Sequence, residues 1–422
     1  MKADVLIVGT GIGGLYTALN LREDLNILVM TNSKIRDCNS YLAQGGITTV
    51  MPGDEKSFIE DTLAAGHNKN DTETLNMVAR ESWGNIKDLI KLGTEFQKDE
   101  YGNLKFTKEA AHSKGRILFH GSETGKMIME TLIKNIEKRK NITVLEGSEL
   151  LDLKISENNV HGGIFKKNEK RFSVDSKVVV LATGGIGGLF KNSTNQPNIK
   201  GVALALAKKH HLKIKDVEYI QLHPTALDNQ NKNRLFLLSE ALRGEGAVIR
   251  DSSGERFVDE LLPRDRVTEA IINKKKDSME CVYLDATALD SNYIRERFSG
   301  IYTECFERGY DITSDLLPIS PAQHYFMGGI KTTLSGRSSC RNLYVVGEAA
   351  CTGLHGKNRL ASNSLLEAVV FGKSAAKDIN LHIDSVNLIE KLIIEDEWCP
   401  EEAARKIIIK HRGDLTNELH HN

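Results

Sequence analysis

The chain has 422 residues, with 56 Lys plus Arg against 57 Asp plus Glu and a net charge of −1. So even a balance gives no electrostatic reason to expect nucleic acid or an anionic membrane as partner. The length allows two or three structural units, one of them large enough for a complete nucleotide-binding core. Six cysteines (Cys38, Cys281, Cys305, Cys340, Cys351, Cys399) form no CxxC pair. That argues against a zinc site or an iron–sulfur cluster, so no metal is expected, and it fits a reducing, cytoplasmic setting. No run of about 18 apolar residues is present. The N-terminus enters a strand directly, with no basic n-region or cleavage site, so no secretory signal is expected.

Taken in order, ADVLIVGTGIGGL (residues 3–15) reads as a buried strand, a glycine turn and a helix start. A second strand is expected at Asn26 to Met30, completing the βαβ opening of a doubly wound sheet. Residues 54–92 are helix-rich, and Ile142 to Val180 reads as a meander of short strands. A separate apolar run from Val178 to Ala182 returns to the sheet. Residues from about 236 to 328 are more polar and read as an inserted cap. Asn342 to Val346 is another buried strand, ending in Gly347 and Glu348. From about Lys377 the chain is charged and helix-prone, with Pro400 suited to a helix first turn.

The first chemical motif is the Gly9-x-Gly11-x-x-Gly14 fingerprint. Gly9 permits the tight turn, Gly11 lets backbone approach a pyrophosphate, and Gly14 lets the helix pack on the strand. The helix N-terminus then faces the phosphates. The bland alternative is a glycine turn without a ligand, but the strand before it and the helix after it favour a dinucleotide. No acid follows the second strand to hold a ribose. SYLAQGGI (residues 40–47) places paired glycines after Gln44, which would let backbone lie against a flat ring; VLATGG (180–185) and Gly347-Glu348 each end a strand.

Further along lie QLHPT (221–225), SEALRGEG (239–246), PRD (263–265), QHY (323–325) and HGKNR (355–359). A substrate with two carboxylates needs two donor clusters about one carbon chain apart, and Arg is the natural clamp because its fork matches a carboxylate. For one isolated His, a structural role is the commoner reading.

From residue 1 to about 375 these ordered blocks resemble the flavoprotein family that comprises the L-aspartate oxidases and the flavoprotein subunits of succinate dehydrogenase and fumarate reductase. The resemblance implies an α/β fold: a discontinuous Rossmann-like FAD domain (1–235 and 329–376), an inserted α+β capping domain (236–328) and a shortened helical C-terminal segment (377–422). It implies non-covalent FAD held by Gly9, Thr10, Gly11, Ile12, Gly13 and Gly14, by Asn32, and by Asn39, Ser40, Tyr41, Leu42, Ala43, Gln44, Gly45 and Gly46. Thr183, Gly184 and Gly185 belong to the same set. Glu348 should meet ribityl or ribose hydroxyls, with Ser364 and Leu365 near the isoalloxazine at a helix start. Two positions depart from the family: Lys200 stands before Gly201 where an acid is usual, and Asn32 lies where a Lys is usual nearby. Both bear on FAD contacts.

By the same resemblance, His324 and Arg359 hold one substrate carboxylate, and His223 with the Ser239 hydroxyl holds the other, with Gln221 in the same set. Arg264 carries a proton, relayed through Glu240 and Arg243; the bland reading is a structural ion-pair network. Free guanidinium has a pKa above ~12, so this works only with prompt relay in a site that excludes water. In the succinate group a His four residues before Ala-Gln-Gly-Gly bonds FAD covalently, and Asn39 here provides no such nucleophile. KEAAHSKGRIL (108–118) resembles the oxidase loop, in which Glu109 would face the substrate amino group; His112, Arg116 and His120 are expected to scaffold that loop.

The expected reaction is L-aspartate to iminoaspartate, with electrons passed to oxygen, giving hydrogen peroxide, or to fumarate. It would be the first step of NAD biosynthesis through quinolinate, with quinolinate synthase as an expected partner. The alternatives are a soluble fumarate reductase with free FAD and a flavin electron-transfer subunit that turns over no dicarboxylate.

Overall fold

A computed structural model describes residues 1–228, 234–278, 281–390 and 398–420. Residues 229–233, at the expected edge of the cap, lie outside the described residues. The central sheet grows from β1 (Lys2–Val8), which runs parallel to β2 (Ile27–Met30) on one side and to β9 (Lys170–Leu181) on the other. β6 (Ile142–Leu145) continues it beside β2, and β17 (Leu343–Val345) lies parallel to the last residues of β9. Such strands read as apolar runs because both faces are covered. Alternate residues then serve two cores. Val5, Ile7 and Val29 face helices α1 (Ile12–Asn20), α3 (Thr72–Leu92), α4 (Thr124–Lys138) and α10 (Asn363–His382), with α2 (Glu55–Ala65) beyond them. Leu6, Val8, Leu28 and Met30 face the side of α5 (Val202–Lys209).

The expected meander resolves differently. Only β7 (Glu149–Ser156), β8 (Asn159–Lys167) and the first half of β9 form an antiparallel set, and β6 belongs to the parallel sheet. The apolar run at Val178 is the far end of the same 12-residue β9, not a new strand. Its polar start pairs with a hairpin at the surface, whereas its apolar end is buried between β1 and β17.

The second unit is a five-stranded sheet: β12 (Phe236–Leu237), β11 (Ile220–Leu227), β15 (Leu317–Phe326), β14 (Val282–Asp285) and β13 (Val248–Arg250) in that order. Helices α6 (Glu240–Gly244), α7 (Arg264–Ser278), α8 (Ser291–Arg297) and α9 (Ser299–Glu307) complete it, with a core of its own around Leu242, Ile271, Leu284 and Phe298. An edge at residue 236 cuts this sheet: β11, expected in the first part of the FAD domain, pairs along its length with β15. The ladder slips at Gln221/Leu222 and again between His223 and Ala226. Bulges re-aim side chains, and these lie at the QLHPT motif.

Two small three-stranded sheets join the units: β3 (Ile47–Thr48) with β4 (Phe106–Thr107) and β5 (Ile117–Leu118), and β10 (Ile214–Lys215) with β16 (Gly329–Lys331) and β18 (Ala350–Cys351). At the end of the chain α11 (Pro400–His411) starts on Pro400, as expected for a residue with no N–H to leave unpaired, and packs on α5 through Ala404, Ile407 and Ile408.

Candidate active site

A cavity of about 470 Å³ runs from the β1 turn to the underside of the cap. Gly9 begins it: φ is +113°, and a Cβ there would lie 2.1 Å from the Ala182 carbonyl oxygen, so only glycine allows β1 and β9 to end side by side. Gly11 caps α1 with no side chain bonded to it, and Ser40 Oγ accepts from Ile12 N at 3.1 Å, tying the 39–46 loop to the helix N-terminus. Thr10, Gly13, Asn32, Asn39, Ser40, Leu42, Ala43, Gln44, Gly45, Gly46, Thr183, Gly184, Glu348, Ser364 and Leu365 all line this cavity.

Four expected cofactor residues do not line it, and each has a packing reason. Ile12 is buried in the α1 core, Gly14 presses against the Gly9 carbonyl, and Tyr41 turns away to donate to Glu130 at 2.8 Å. Gly185 backs the Glu348 carboxylate, where a Cβ would come within 2.4 Å of Oε1. The paired glycines also lie close to protein atoms. A Cβ on Gly45 would lie 2.4 Å from Glu109 Oε1, and one on Gly46 would meet Ile117 and Leu118. At Gly46 the contact includes the Leu118 backbone oxygen and demands glycine; at Gly45 a Cβ would have to displace the Glu109 carboxylate.

Under the cap, the polar residues converge. Arg264, first in α7, donates from Nε to Glu240 Oε2 at 2.5 Å and from Nη1 to Gln221 Oε1 at 2.9 Å. Gln221 Oε1 also accepts from Arg359 Nε at 3.3 Å, so one amide oxygen registers two guanidiniums. The Gln221 amide nitrogen donates to Asn358 Oδ1 at 2.7 Å and to the Arg359 carbonyl at 2.8 Å. Arg359 reaches His324 Nε2 at 3.1 Å, bonds Ser364 and lies over the Tyr325 ring. Burial, reinforced by Arg264, pushes Arg359 down to about 10. Burial also drives His223 and His324 well below their ordinary range, with Arg264 and Arg359 adding to it, so both imidazoles are neutral.

Their tautomers follow from their partners. His223 Nδ1 accepts from the Thr225 backbone N–H at 3.2 Å, which leaves the proton on Nε2, buried and without a partner among the described residues. Arg359 can only donate, so His324 Nε2 accepts and Nδ1–H faces Thr194 Oγ1 at 2.8 Å. Ser239 is the N-cap of α6 and lines the cavity beside His223.

Glu240 sits between two arginines, with Arg243 Nη2 at 3.3 Å. Burial pushes Glu240 up, but Arg264 and Arg243 overcome it and hold the carboxylate below its ordinary range. Arg243 and Gln221 lie behind the cavity wall rather than in it. Arg243 bonds the Glu260 carbonyl, and the Glu260 carboxylate pairs at 2.5 Å with Arg256, whose side chain is 55% exposed. Glu109 is enclosed in the cavity wall, accepting from Ser362 Oγ at 2.6 Å; burial first, then Glu240, raise it above the ordinary carboxylate range. Ser362 holds φ at +61°, a strained setting for a residue with a side chain. His112 bonds the Ala361 carbonyl at 3.0 Å, and Arg116 pairs with Asp54 and Asp61, so both brace the Glu109 loop. His120 Nδ1 bonds the Glu95 carbonyl at 2.9 Å, and its backbone N–H donates to Thr124 Oγ1 at 3.0 Å. Ser364 lies in the first turn of α10 and accepts from Arg359 rather than capping the helix, since that position belongs to Ser362.

Sequence reasoning missed Thr194 and Asn195. Asn195 bonds Asn39, Gln323 Oε1 and the His324 carbonyl, tying the flavin loop to β15. Arg234, Ser362 and Glu401 also line the cavity without having been expected there, and Lys200, one of the two departures from the family, lines it as well. A polar stretch such as 192–198 carries no local pattern that would single these residues out.

A parallel sheet with a glycine turn, a cavity for an extended dinucleotide and an inserted cap carrying anion clamps defines a dinucleotide-dependent oxidoreductase. Residues 4–365 match the FAD binding domain family. The L-aspartate oxidase of Clostridium perfringens is 47% identical over 429 residues, covering 99% of this chain and 97% of the relative. That of Clostridium acetobutylicum is also 47% identical, covering 99% of each. Among solved structures, a quinol–fumarate reductase with menaquinol molecules superposes with a TM-score of 0.86 at 25% identity, covering 99% of this chain and 76% of that one. The chain belongs to the L-aspartate oxidase family of FAD-binding flavoproteins. The cavity fits FAD on its own terms: the N-terminus of α1 faces it through Gly11 and Gly13, and Gln44 Oε1 and Thr183 Oγ1 in its wall are buried without partners among the described residues.

Proposed function

We propose that this protein oxidises L-aspartate to iminoaspartate, passing the electrons to oxygen or fumarate, as the first step of NAD biosynthesis through quinolinate. The observation that carries this reading is the buried carboxylate of Glu109 beside a dicarboxylate clamp. Succinate and aspartate share two carboxylates and differ by an amino group, so a clamp alone cannot separate them, whereas an ammonium beside Glu109 gains a charged partner. FAD, when bound, supplies the two-electron acceptor for the hydrogen on the substrate's Cα.

The chain's own residues do the rest. Arg359, oriented by His324, holds one carboxylate; the free Nε2–H of His223 and the Ser239 hydroxyl hold the other. Gln221 keeps the Arg264 and Arg359 guanidiniums in fixed register. Oxidation of an ammonium to an iminium releases one proton besides the hydride, and Arg264, Glu240 and Arg243 form a continuous chain to carry a proton away from the closed site. Thr10, Gly11, Gly13, Gln44, Thr183 and Glu348 would hold the dinucleotide, with residues 1–219 and 329–376 as its domain and 220–328 as the cap. Six cysteines without a disulfide, and the absence of any helix long and apolar enough to cross a membrane among the described residues, support a cytoplasmic setting. Quinolinate synthase is the partner that would take the unstable imine.

The test is anaerobic addition of L-aspartate to the yellow protein. Bleaching of the flavin absorbance, with oxaloacetate and ammonia recovered after hydrolysis, is the expected result. Fumarate turnover without bleaching by aspartate would instead select a fumarate reductase, the reading that the structural likeness to quinol–fumarate reductase supports second.

A further inference from the structure

In dinucleotide folds of this kind the ribose of the adenosine half lies off the end of the second strand, where an acid normally receives its hydroxyls. Here β2 ends at Met30, and the residues after it are Thr31, Asn32, Ser33 and Lys34. Asn32 is instead joined to the 194–200 loop by two bonds, Asn32 Nδ2 to the Asn198 carbonyl at 2.9 Å and Asn198 Nδ2 to Asn32 Oδ1 at 3.0 Å. Two residues on, Lys200 lines the same end of the cavity and pairs with Glu401 at 2.7 Å. Glu401 and Pro400, from the first turn of α11, line the cavity too. Arg405 holds the other Glu401 oxygen at 3.2 Å.

The placement of this turn is built in. The Trp398 indole donates to the Leu151 carbonyl at 3.0 Å, with Lys209 Nζ 4.6 Å from its ring centre. Ala404 packs so closely on Gly201 that a Cβ there would lie 3.0 Å away. At the far end Leu419 bridges to Phe190. A segment 201 residues away in sequence therefore brings a carboxylate, oriented by two cations, to this end of the cavity. Asp37 and Glu149 also line it, but the Asp37 carboxylate is taken up by Ser33 Oγ at 2.5 Å and Lys34 N at 3.2 Å.

We propose that Glu401 is the ribose-binding acid of this protein, so that residues 398–411 are part of the FAD site and Lys200 is the residue that positions it. The carboxylate would accept from the adenosine ribose hydroxyls while Lys200 and Arg405 hold it in place.

The test uses the apoprotein, FAD, and ADP with 2′-deoxy-ADP as competitors, read by quenching of flavin fluorescence. Glu401→Ala is expected to raise the Kd for FAD about 10-fold or more, the scale of a lost charge-assisted hydrogen bond. It should also abolish the preference for ADP over 2′-deoxy-ADP that the unaltered protein shows, with the melting temperature of the apoprotein little changed. Lys200→Met, which leaves the carboxylate but frees it, should weaken FAD less and keep part of that preference. An unchanged Kd in Glu401→Ala, or a weakened Kd accompanied by an equal preference for the two nucleotides in the unaltered protein, would overturn the assignment. FAD affinity in the unaltered protein is measured in the same experiment, so failure of this inference is distinct from failure of the flavin reading on which it rests.

Discussion

Glu109→Gln keeps the side-chain shape, and the Ser362 hydroxyl can still donate to the amide oxygen as it does to Glu109 at 2.6 Å. What disappears is one negative charge in a wall enclosed by Gly45, Ser362 and the cap. A hydrogen bond to a charged group contributes about 1.5–3 kcal/mol, which corresponds to a loss of roughly 10- to 150-fold in kcat/KM for L-aspartate. Fumarate carries no ammonium, so its reduction by a chemical reductant should change by no more than about 3-fold, within the ordinary variation of surface-scale effects. There is also a signature in pH. Burial, with Glu240 second, raises Glu109, so the carboxylate is protonated over an acid range in which an ordinary Glu is already ionised. The acid limb of kcat/KM for aspartate should therefore lie above the usual Glu range and flatten in the variant. Parallel loss of both activities would signal a folding or flavin defect; retention of both would place Glu109 outside substrate recognition and refute the reasoning.

Arg264→Leu should keep FAD and substrate-induced spectral shifts while turnover falls about 10²-fold or more, the scale of a lost proton-transfer group; turnover near that of the unaltered enzyme would remove Arg264 from the mechanism. Asn39 provides no nucleophile and is engaged by Asn195 and by Gln196 N, so acid precipitation should leave the yellow colour in the supernatant, and colour in the pellet would contradict it. Glu348 is pushed up to about 7 by burial, against an ordinary 4.5. A carboxyl raised on folding contributes stability that is fully present below about 4.5 and is lost as pH rises through 7. The melting temperature of the apoprotein should therefore fall across that window, more than in Glu348→Gln, by an amount reflecting up to about 3 kcal/mol; equal pH slopes in the two proteins would count against it.

The parts of this protein that were legible from sequence are those in which the physical reason is local. β2 and the Val5–Val8 half of β1 are unbroken apolar runs because both faces are covered, and Gly9 is legible from its glycine spacing, although the clash that demands it is with Ala182 at the end of β9. The residues proposed as the clamp were singled out through motif order, yet their organisation was not legible. Gln221 gives no hint in sequence that it joins Arg264 to Arg359, since its three partners lie 43 to 138 residues away. Where the cap begins is not legible either, because β11 (IQLHPTAL) mixes apolar and polar residues and reads equally well as part of either sheet; in the structure it pairs with β15. Glu401 was invisible for the same reason at greater range. Its neighbours in sequence form an ordinary amphipathic helix, and its function depends on where α5 lets that helix dock.

The division of labour between the two sheets bears on chain-length selectivity. His223 stands on β11 and His324 on β15, adjacent strands whose ladder is bulged on either side of the pair, and their ring centres lie 5.1 Å apart. Arg359 belongs to the other unit, but Gln221, also on β11, holds both its backbone carbonyl and its guanidinium. The two carboxylate subsites are therefore not carried on independently moving parts. Both are referred to the short stretch from Gln221 to His223 on one bulged strand, through His223 itself and through the Gln221 bonds to Arg359. A substrate one methylene longer would need these subsites to separate, and the strand can supply that only by breaking the Gln221 bonds that also position Arg264. Discrimination against glutamate then acts on the proton-carrying group as well as on binding, and should appear in kcat as well as in KM.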